Sequence, residues 1–445
     1  MFHRQLLKVP AVCGFRSFSS ALYITGDKAD KHFAVLTPYV DFGKILENRE
    51  KFVNNLKSRS VNIDLDKVVE KWEFFQDIDN KRKQLEATRS KIGNHISKLL
   101  KTDGNKEELE KWKLQSKLVK DDLKNLKDMY YNVEENVFLQ ILSLPNELHE
   151  NTPINNEVLI HEKNKKPDNK TDSHINLSKS INYINPYNCY LTADCALFEI
   201  SALNYLRKHL QKSKFTQFSS PDFSRSVVVE GAGKNFENAQ SVLTIEEPHE
   251  KFNSLSRLHL TGGAALESFL AYFTKHLVDL NKFPLQYFSV GRKYQPFDDK
   301  WNGGLFNLAQ DSALSMFMGY MDGEGDLLKN IQNVIIDFYD SLNYHYKLVI
   351  IPAKDLHFTE SLRLSIQMYS NNLQRYIEVG NISLNGDYFS KRLLFTTTIN
   401  KERAFPNVIS GTLLNVQKFL GCAIENNHVD NKPLLCDLLR KYMFV

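Results

Sequence analysis

Residues 284–317 read PLQYFSVGRKYQPFDDKWNGGLFNLAQDSALSMF, and this stretch decides the fold of the chain. The aromatic and β-branched residues at 287–290 follow a proline and predict a strand that ends near Arg292. A glycine-containing polar loop follows, and the alternation around Leu305 and Leu308 predicts a returning strand. A strand–loop–strand unit with a cation at its turn suits a phosphate, although a single arginine is equally typical of a surface strand end.

The composition of the 445-residue chain is that of an ordinary globular protein, with 42% hydrophobic and 25% charged residues. The chain is long enough for two or three domains with a substantial core. No apolar run approaches the ~20 residues that span a bilayer, so we expect no membrane segment. Five scattered cysteines form neither a CxxC pair nor a zinc-ligand spacing, which predicts reduced thiols and no metal site.

The N-terminal residues have the composition of a mitochondrial transit peptide. Arg4, Lys8 and Arg16 are their only charges, and the first acid is Asp27. We therefore predict a transit peptide over residues 1–18, with cleavage after Phe18, and localisation in the mitochondrial matrix. A disordered tail is the alternative. Subtracting three positive charges from the net charge of +4 leaves +1, so charge gives no argument for nucleic-acid binding.

A helical hairpin arm is predicted at about 64–135, inside an N-terminal domain over residues 19–150. Apolar residues recur at helical spacing from Leu65 to Leu100, and Asp64 is a candidate N-cap. After a polar turn at 101–105, a second run keeps a heptad seam for more than three repeats. Two long helices joined by a tight turn predict an antiparallel two-helix coiled coil.

Two interpretations of the arm stay open. Four basic residues on its first helix are candidates for contact with RNA phosphates: Arg82, Lys83, Arg89 and Lys91. Acidic residues are interleaved with them, as on a solvated helix face. Charge alone therefore favours a structural arm, packed on the body or used for dimerisation.

The composition and the predicted secondary structure of the sequence change twice after the arm. Residues 151–180 are rich in Asn, Lys and Asp and predict a polar linker. Residues 181–445 alternate short helices and strands, which predicts an α+β domain with helices against a largely antiparallel sheet. Helices are predicted at 197–210, 264–280 and 413–425, and strands at 346–351, 375–379 and 393–399.

Residues 181–445 contain no familiar catalytic motif. The segment 230–234, EGAGK, lacks the spacing of a phosphate-binding loop and predicts a plain turn. His259 and His276 have no carboxylate nearby in sequence, so we interpret both as packed or solvated. Composition and spacing alone leave an α+β protein with a helical hairpin.

Short motifs along nearly the whole chain after residue 20 resemble those of seryl-tRNA synthetases, which are class II aminoacyl-tRNA synthetases. The segments that carry the resemblance are Leu144-Pro145-Asn146 with Pro153, Leu197-Phe198-Glu199 with Ala202-Leu203-Asn204-Tyr205, residues 215–221, Thr261-Gly262-Gly263, residues 288–294, 305–317, 351–356, 376–379 and 411–425, and Pro433 with Tyr442-Met443. Each motif is loose, but their order is that of the family. The resemblance implies a class II synthetase-like antiparallel sheet flanked by helices, dimerisation through residues 215–221, and an arm that contacts tRNA.

Departures from the family pattern imply that residues 181–445 form a catalytic-type domain with a degenerate site. Gly263 stands where the family has the Glu that binds the substrate amino group, and Tyr294 replaces a second Glu. The other replaced positions are Asn307, Ala309, Asp311, Ser315, Leu364-Ser365-Ile366-Gln367, Asn381-Ile382-Ser383-Leu384 and Lys418. Lost carboxylates weaken Mg²⁺ binding, and lysine lacks the planar fork of arginine. Arg292, Glu378 and Lys418 remain as relics of an ATP site.

The resemblance therefore implies a non-catalytic mitochondrial paralogue, similar to inactive synthetase-like proteins of insects, without cofactor or metal. Its expected partner is the active mitochondrial seryl-tRNA synthetase in a heterodimer, or a second copy in a homodimer. Mitochondrial tRNA(Ser) or another RNA is a further candidate partner. Two alternatives stay open: a divergent but active seryl-tRNA synthetase, and a stand-alone RNA-binding protein that uses the arm.

Overall fold

The computed structural model describes residues 20–25, 36–101, 106–246, 254–298, 301, 303–430 and 433–443. The predicted transit peptide, its cleavage point and most of the predicted arm turn lie outside the described residues. Among the helices that are described, none has the length and apolarity needed to cross a membrane.

Helices and strands alternate after a helical N-terminal part. The described helices are α1 Phe42–Glu47, α2 Arg49–Ser58, α3 Leu65–Lys101, α4 Lys106–Leu142, α5 His174–Leu177, α6 Ala193–Lys212, α7 Ser226–Gly231, α8 Leu266–Phe273, α9 Glu324–Leu342, α10 Tyr388–Leu393, α11 Val416–Asp430 and α12 Asp437–Arg440. The described strands are β1 Val158–Lys163, β2 Ile181–Asn185, β3 Asn188–Leu191, β4 Thr216–Gln217, β5 Phe223–Arg225, β6 Leu243–Thr244, β7 Leu258–Leu260, β8 Leu285–Tyr294, β9 Gln310–Tyr320, β10 Tyr346–Ile350, β11 Leu362–Ser370, β12 Arg375–Gly386, β13 Thr397–Ile399, β14 Glu402–Ala404 and β15 Asn407–Asn415.

An eight-stranded sheet in the order β1-β10-β11-β12-β15-β9-β8-β4 forms the body. Its pairs are antiparallel except for β4 with β8. β9 is buried along almost its whole length, as expected for a central strand covered on both faces. One face packs with α6, α9 and α11, and the other with α8 and α10. The predicted α+β class and its helix-flanked antiparallel sheet are confirmed.

The predicted arm is confirmed as the antiparallel pair α3 and α4. Each helix has 37 residues, which corresponds to a length of about 55 Å. The backbone N–H of Lys67 donates to Asp64 Oδ1 at 3.3 Å, so Asp64 caps α3 as predicted. Aromatic rings of Trp72, Phe75 and Phe138 pack together at the base of the arm. The arm is therefore anchored by a small core of its own.

A short segment before α1, residues 20–25, joins the arm to the body. The carboxylate of Glu230, at the end of α7, accepts bonds from Ser20 Oγ at 2.6 Å and from the backbone N–H groups of Ala21 and Leu22 at 2.6 and 2.9 Å. The ring of Tyr23 stacks on Phe138 of α4, with centroids 4.7 Å apart. We call residues 20–25 the N-terminal strap.

Several predicted boundaries were wrong because long-range backbone pairing changed the local conformation. The helix expected at 264–280 ends at Phe273, and Lys275 N then donates to Leu393 O. The strand expected at 393–399 is limited to β13, since Leu393 ends α10. The helix expected at 413–425 begins at Val416.

Two further segments differ from expectation. Residues 151–180, predicted as a polar linker, contain α5 and also β1, which pairs with β10 at an edge of the main sheet. Most side chains of this edge strand are exposed, including the apolar Val158, Leu159 and Ile160. The returning strand of the opening stretch starts at Gln310, while Leu305 and Leu308 are buried in the preceding loop.

Candidate functional site

Arg292 lies on the β8–β9 hairpin, opposite Ser312. Its Nη1 donates to Ser312 Oγ, and its Nη2 lies 3.4 Å from Glu199 Oε1 of α6. Ser312 Oγ donates to the same Glu199 oxygen, while Gln417 Nε2 lies 3.4 Å from the other. The guanidinium expected to face a phosphate is therefore paired with a carboxylate of its own chain.

Glu378 of β12 is also paired within the chain. Its Oε1 accepts from Arg363 Nη2 of the neighbouring strand β11, and its Oε2 accepts from Ser365 Oγ at 2.6 Å. Asn381 Nδ2 adds a third donor at 3.2 Å. Burial opposes ionisation of Glu378, but Arg363 and these donors outweigh it and hold the pKa of the carboxyl below its usual value. The surviving carboxylate is thus already neutralised by a fixed cation.

Asp311 occupies the position where the family resemblance implies adenine stacking. Its carboxylate is buried, and Asn415 Nδ2 donates to Oδ2 at 2.9 Å. Oδ1 has no hydrogen-bond partner among the described residues. Burial raises the pKa of Asp311, although the nearby Lys418 and Lys293 favour the charged form. A buried carboxylate at this point repels a phosphate and offers no flat apolar surface to a base.

Lys293 extends towards the middle of the sheet, where its Nζ donates to Thr412 Oγ1 at 2.7 Å. Thr412 also lies 3.2 Å from the hydroxyl of Ser315, the position where the resemblance implies a carboxylate. Burial and the ammonium groups of Lys234 and Lys418 lower the pKa of Lys293 to about 8, against the opposing effect of Glu267. Hydroxyl groups have replaced an acid here, so Lys293 lacks a carboxylate hydrogen bond.

Gly262 and Gly263 lie against the β8 strand at the serine-binding position implied by the resemblance. Gly262 has φ +101°, and a Cβ there would meet the carbonyl oxygen of Arg292 at 2.1 Å. The N–H of Gly263 donates to Asp222 Oδ1 at 2.6 Å. The nearby carboxylate of Glu267 is buried and pairs with Lys234 at 2.6 Å. The carboxylates of Asp222 and Glu267 therefore both have partners within the chain.

Little space remains around Arg292. A pocket lined by Tyr187, Cys189, Arg292, Gln310 and Gln417 offers about 20 Å³ to a water-sized sphere. That volume accommodates one or two water molecules. A small-molecule site usually provides ~300 Å³ or more. The pocket beside Arg292 is therefore too small for a nucleotide. Within the described ranges, no three His, Cys, Asp or Glu side chains converge as metal ligands.

The three predicted relic residues do not form one cluster. Arg292 on β8 and Lys418 on α11 both act on Asp311, so the fold brings these two near the same carboxylate. Glu378 is on β12, and two strands, β15 and β9, separate it from β8. At about 4.8 Å per strand, this places Glu378 about 14 Å from the Arg292 strand.

Sequence reasoning missed the residues that neutralise the site, chiefly Glu199, Arg363 and the Lys234–Glu267 pair. A signal for Arg363 exists in β11, where Leu362, Leu364, Ile366 and Met368 alternate with Arg363, Ser365 and Gln367. This pattern predicts a strand with one polar face. The partner of that polar face cannot be read from the strand itself.

The four basic residues proposed for RNA contact differ in their surroundings. Arg82 pairs with Asp79 and Glu86, both at 2.8 Å, and lies over the ring of Tyr130. Lys83 pairs with Asp79 at 2.7 Å. Arg89 and Lys91 are exposed nearer the tip of the arm. These last two are the more accessible charges of the set.

Two curated proteins resemble the chain over most of its length. The serine–tRNA synthetase-like protein Slimp of Drosophila melanogaster is 32% identical over 415 residues, which cover 92% of this chain and 89% of that protein. The mitochondrial serine–tRNA ligase of Mus musculus is 22% identical over 435 residues and covers 91% of this chain and 83% of its own. No family model matches the chain.

Two solved structures share the fold. The seryl-tRNA synthetase of Pyrococcus horikoshii, solved with ATP, has a TM-score of 0.78 at 17% identity and covers 91% of this chain and 98% of its own. The cytoplasmic serine–tRNA ligase of Naegleria fowleri, solved with AMP, has a TM-score of 0.74 at 17% identity, with coverages of 89% and 94%. At this identity the two structures show the fold alone.

Proposed function

The chain belongs to the seryl-tRNA synthetase family of class II aminoacyl-tRNA synthetases, and from this premise we propose that it is a non-catalytic mitochondrial member that acts as a binding subunit. Its partner is the active mitochondrial seryl-tRNA synthetase, in a heterodimer, or a second copy of itself. In this role it stabilises the enzyme or modulates its handling of tRNA.

One observation carries the proposal: Arg292 and Glu378, two charged groups that the resemblance assigns to a nucleotide site, are each paired with an oppositely charged residue of the chain. Arg292 is paired with Glu199, and Glu378 with Arg363. An incoming nucleotide would have to break both pairs before either charged group could contact it. The small space beside Arg292 supports the same conclusion.

The surface near β4 supports a partner-binding role. β4 is the last strand of the sheet, and its neighbour Phe218 packs on Tyr272 of α8. Large apolar side chains are exposed around it: Phe223, Tyr272, Leu277 and Leu280. An exposed apolar patch rimmed by polar residues is typical of a protein interface. Residues 215–221, which the resemblance assigns to dimerisation, lie at this edge.

Two measurements test the proposal. Serine-dependent ATP–pyrophosphate exchange by the isolated chain should be absent at all Mg²⁺ concentrations, whereas activity would establish the divergent-enzyme alternative. Affinity purification from mitochondria should recover the active synthetase or a second copy of this chain. Recovery of neither would refute the binding-subunit role.

A second candidate function, RNA binding by the arm, is favoured by the exposure of Arg89 and Lys91. Acidic residues of the same helices limit this binding to a weak, salt-sensitive contact. Filter binding of mitochondrial tRNA(Ser) to the purified chain tests it.

A further inference from the structure

Arg363 is the centre of a partly buried charge cluster on the polar face of β11. Its Nη2 donates to Glu378 Oε1 on β12, and its Nη1 lies 3.4 Å from Glu360 Oε1. Glu360 is buried, and it accepts from Ser383 Oγ at 2.6 Å and from the N–H of His357 at 2.8 Å. One guanidinium therefore stands between two carboxylates from different parts of the chain.

The groups around Arg363 are hard oxygen donors. Glu360 and Glu378 supply carboxylates, and Ser365 and Ser383 supply hydroxyl groups that already bond to them. Such a donor set is what a divalent cation uses in proteins. Here the arginine lies between the two carboxylates and pairs with both, and its side chain is 21% exposed and that of Glu378 31% exposed. The cluster is thus a cation site with a side chain as its occupant.

Charge explains why the occupant stays. Burial opposes the charged guanidinium, but Glu378 and Glu360 outweigh it and raise the pKa of Arg363. Arginine remains protonated at any physiological pH, so no change of pH releases it. A tethered cation also faces no loss of translational freedom on binding, unlike a metal ion taken from solution.

We propose that Arg363 is a built-in substitute for a divalent cation at Glu378, and that it keeps this part of the relic site permanently closed to metal and metal-bound phosphate. This inference rests on the proposed non-catalytic function and gives it a physical cause. Arg363 acts on the site by occupying the carboxylates, while Glu199 occupies Arg292 in the same way on the other side of the sheet. Each pair withholds one charged group of the chain from an external ligand.

The test uses Mn²⁺ alone as the probe, because its free concentration can be followed by electron paramagnetic resonance. We compare the full chain with Arg363→Met, which keeps the length of the side chain and removes its charge. Arg403→Met, an exposed arginine on β14, is the matched control. Wild type and Arg403→Met should bind no Mn²⁺ at this site, whereas Arg363→Met should bind about one equivalent at submillimolar to millimolar concentration. Adding Glu378→Gln to Arg363→Met should abolish that binding.

Two results would overturn the proposal. The first is folded Arg363→Met protein that binds no Mn²⁺, which would show an ordinary structural ion pair. The second is wild-type protein whose melting temperature rises with Mn²⁺ and loses that rise in Glu378→Gln, which would show an open site. If Arg363→Met does not fold, the melting temperature of wild-type protein with Mn²⁺ still tests whether the site at Glu378 is open. Neither result depends on recovery of a partner protein, so a failure here is distinguishable from a failure of the binding-subunit role.

Discussion

Arg292 Nη2 lies 3.4 Å from Glu199 Oε1, an ion pair between the β8–β9 hairpin and helix α6. The hairpin and its arginine keep the frame of a nucleotide site, yet the guanidinium is used inside the chain. Ser312 and Gln417 complete the contact by bonding to the same carboxylate. The frame therefore holds two elements of the body together.

Arg292→Ala should consequently act as a mild structural change. The side chain of Arg292 is 45% exposed, so solvent screening limits the ion pair to about 0–1 kcal/mol of stability. Chemical denaturation should show a loss in that range, and recovery of the partner synthetase should be unchanged. Arg292→Lys, which keeps the charge, is the control. An ATP-dependent signal that disappears in Arg292→Ala would contradict the proposed function.

The N-terminal strap should stabilise the body through Glu230. Glu230→Ala leaves the buried N–H groups of Ala21 and Leu22 without their acceptor, which costs about 1–3 kcal/mol. Urea denaturation measures the loss. In a chain that starts after residue 25, the same substitution should cost little, because its partners are absent. Equal losses in both chains would show that Glu230 acts independently of the strap.

The elements that could be predicted are those whose pattern is local. The spacing of apolar residues from Leu65 to Leu100 specified α3, and β-forming residues around Phe288 specified β8. The helix predicted at 264–280 stopped at Phe273 for a reason that is not local. Lys275 and Val278 donate backbone bonds to Leu393 and Thr396, which the helical spacing cannot reveal.

The residues of the site also differ in whether the sequence alone could identify them. Positions such as Gly263 and Asp311 could be identified by their place in an ordered series of motifs. The pairs Arg292–Glu199 and Lys234–Glu267 join residues distant in sequence, so only the fold brings them together. Arg363 and Glu378 lie on adjacent strands but are not opposite each other, since Arg363 is opposite Ser383, and Glu378 is opposite Gln367 beyond the bulge after Ile366. A charged residue on a buried strand indicates a partner without identifying it.

Lys293 should make stability depend on pH in the alkaline range. Burial and neighbouring ammonium groups lower its pKa to about 8, while the value in an unfolded chain is 10.5. The unfolded state thus binds more protons between these values, so wild-type stability should rise with pH across that window. Lys293→Met should be more stable than wild type below pH 8, by about 3 kcal/mol, and the difference should vanish above pH 10.5.

Thermal unfolding at a series of pH values measures this difference. Lys282→Met, at an exposed position, is the matched control and should follow wild type throughout. A constant difference between Lys293→Met and wild type across the range would show that packing, and not the charge of Lys293, causes it.

The basic residues of the arm should separate into structural and RNA-facing groups. Arg82 pairs with Asp79 and Glu86 and lies 4.9 Å from the centre of the Tyr130 ring, so Arg82→Ala should cost about 1 kcal/mol of stability. Arg89 and Lys91 are exposed, and Arg89→Gln with Lys91→Gln should leave stability within about 0.5 kcal/mol.

For RNA binding we expect the larger effect from substitution of Arg89 and Lys91 and the smaller effect from substitution of Arg82. If Arg89 and Lys91 neutralise phosphates, the double variant should weaken tRNA(Ser) binding and reduce the slope of log K against log salt by about 1 for each phosphate that it no longer neutralises. Filter binding at several salt concentrations measures that slope. The matched control is the double variant Lys111→Gln with Lys113→Gln. It makes the same change of charge at exposed positions of α4. An unchanged slope in the Arg89 and Lys91 variant would exclude these residues as phosphate ligands and would leave the arm a structural element.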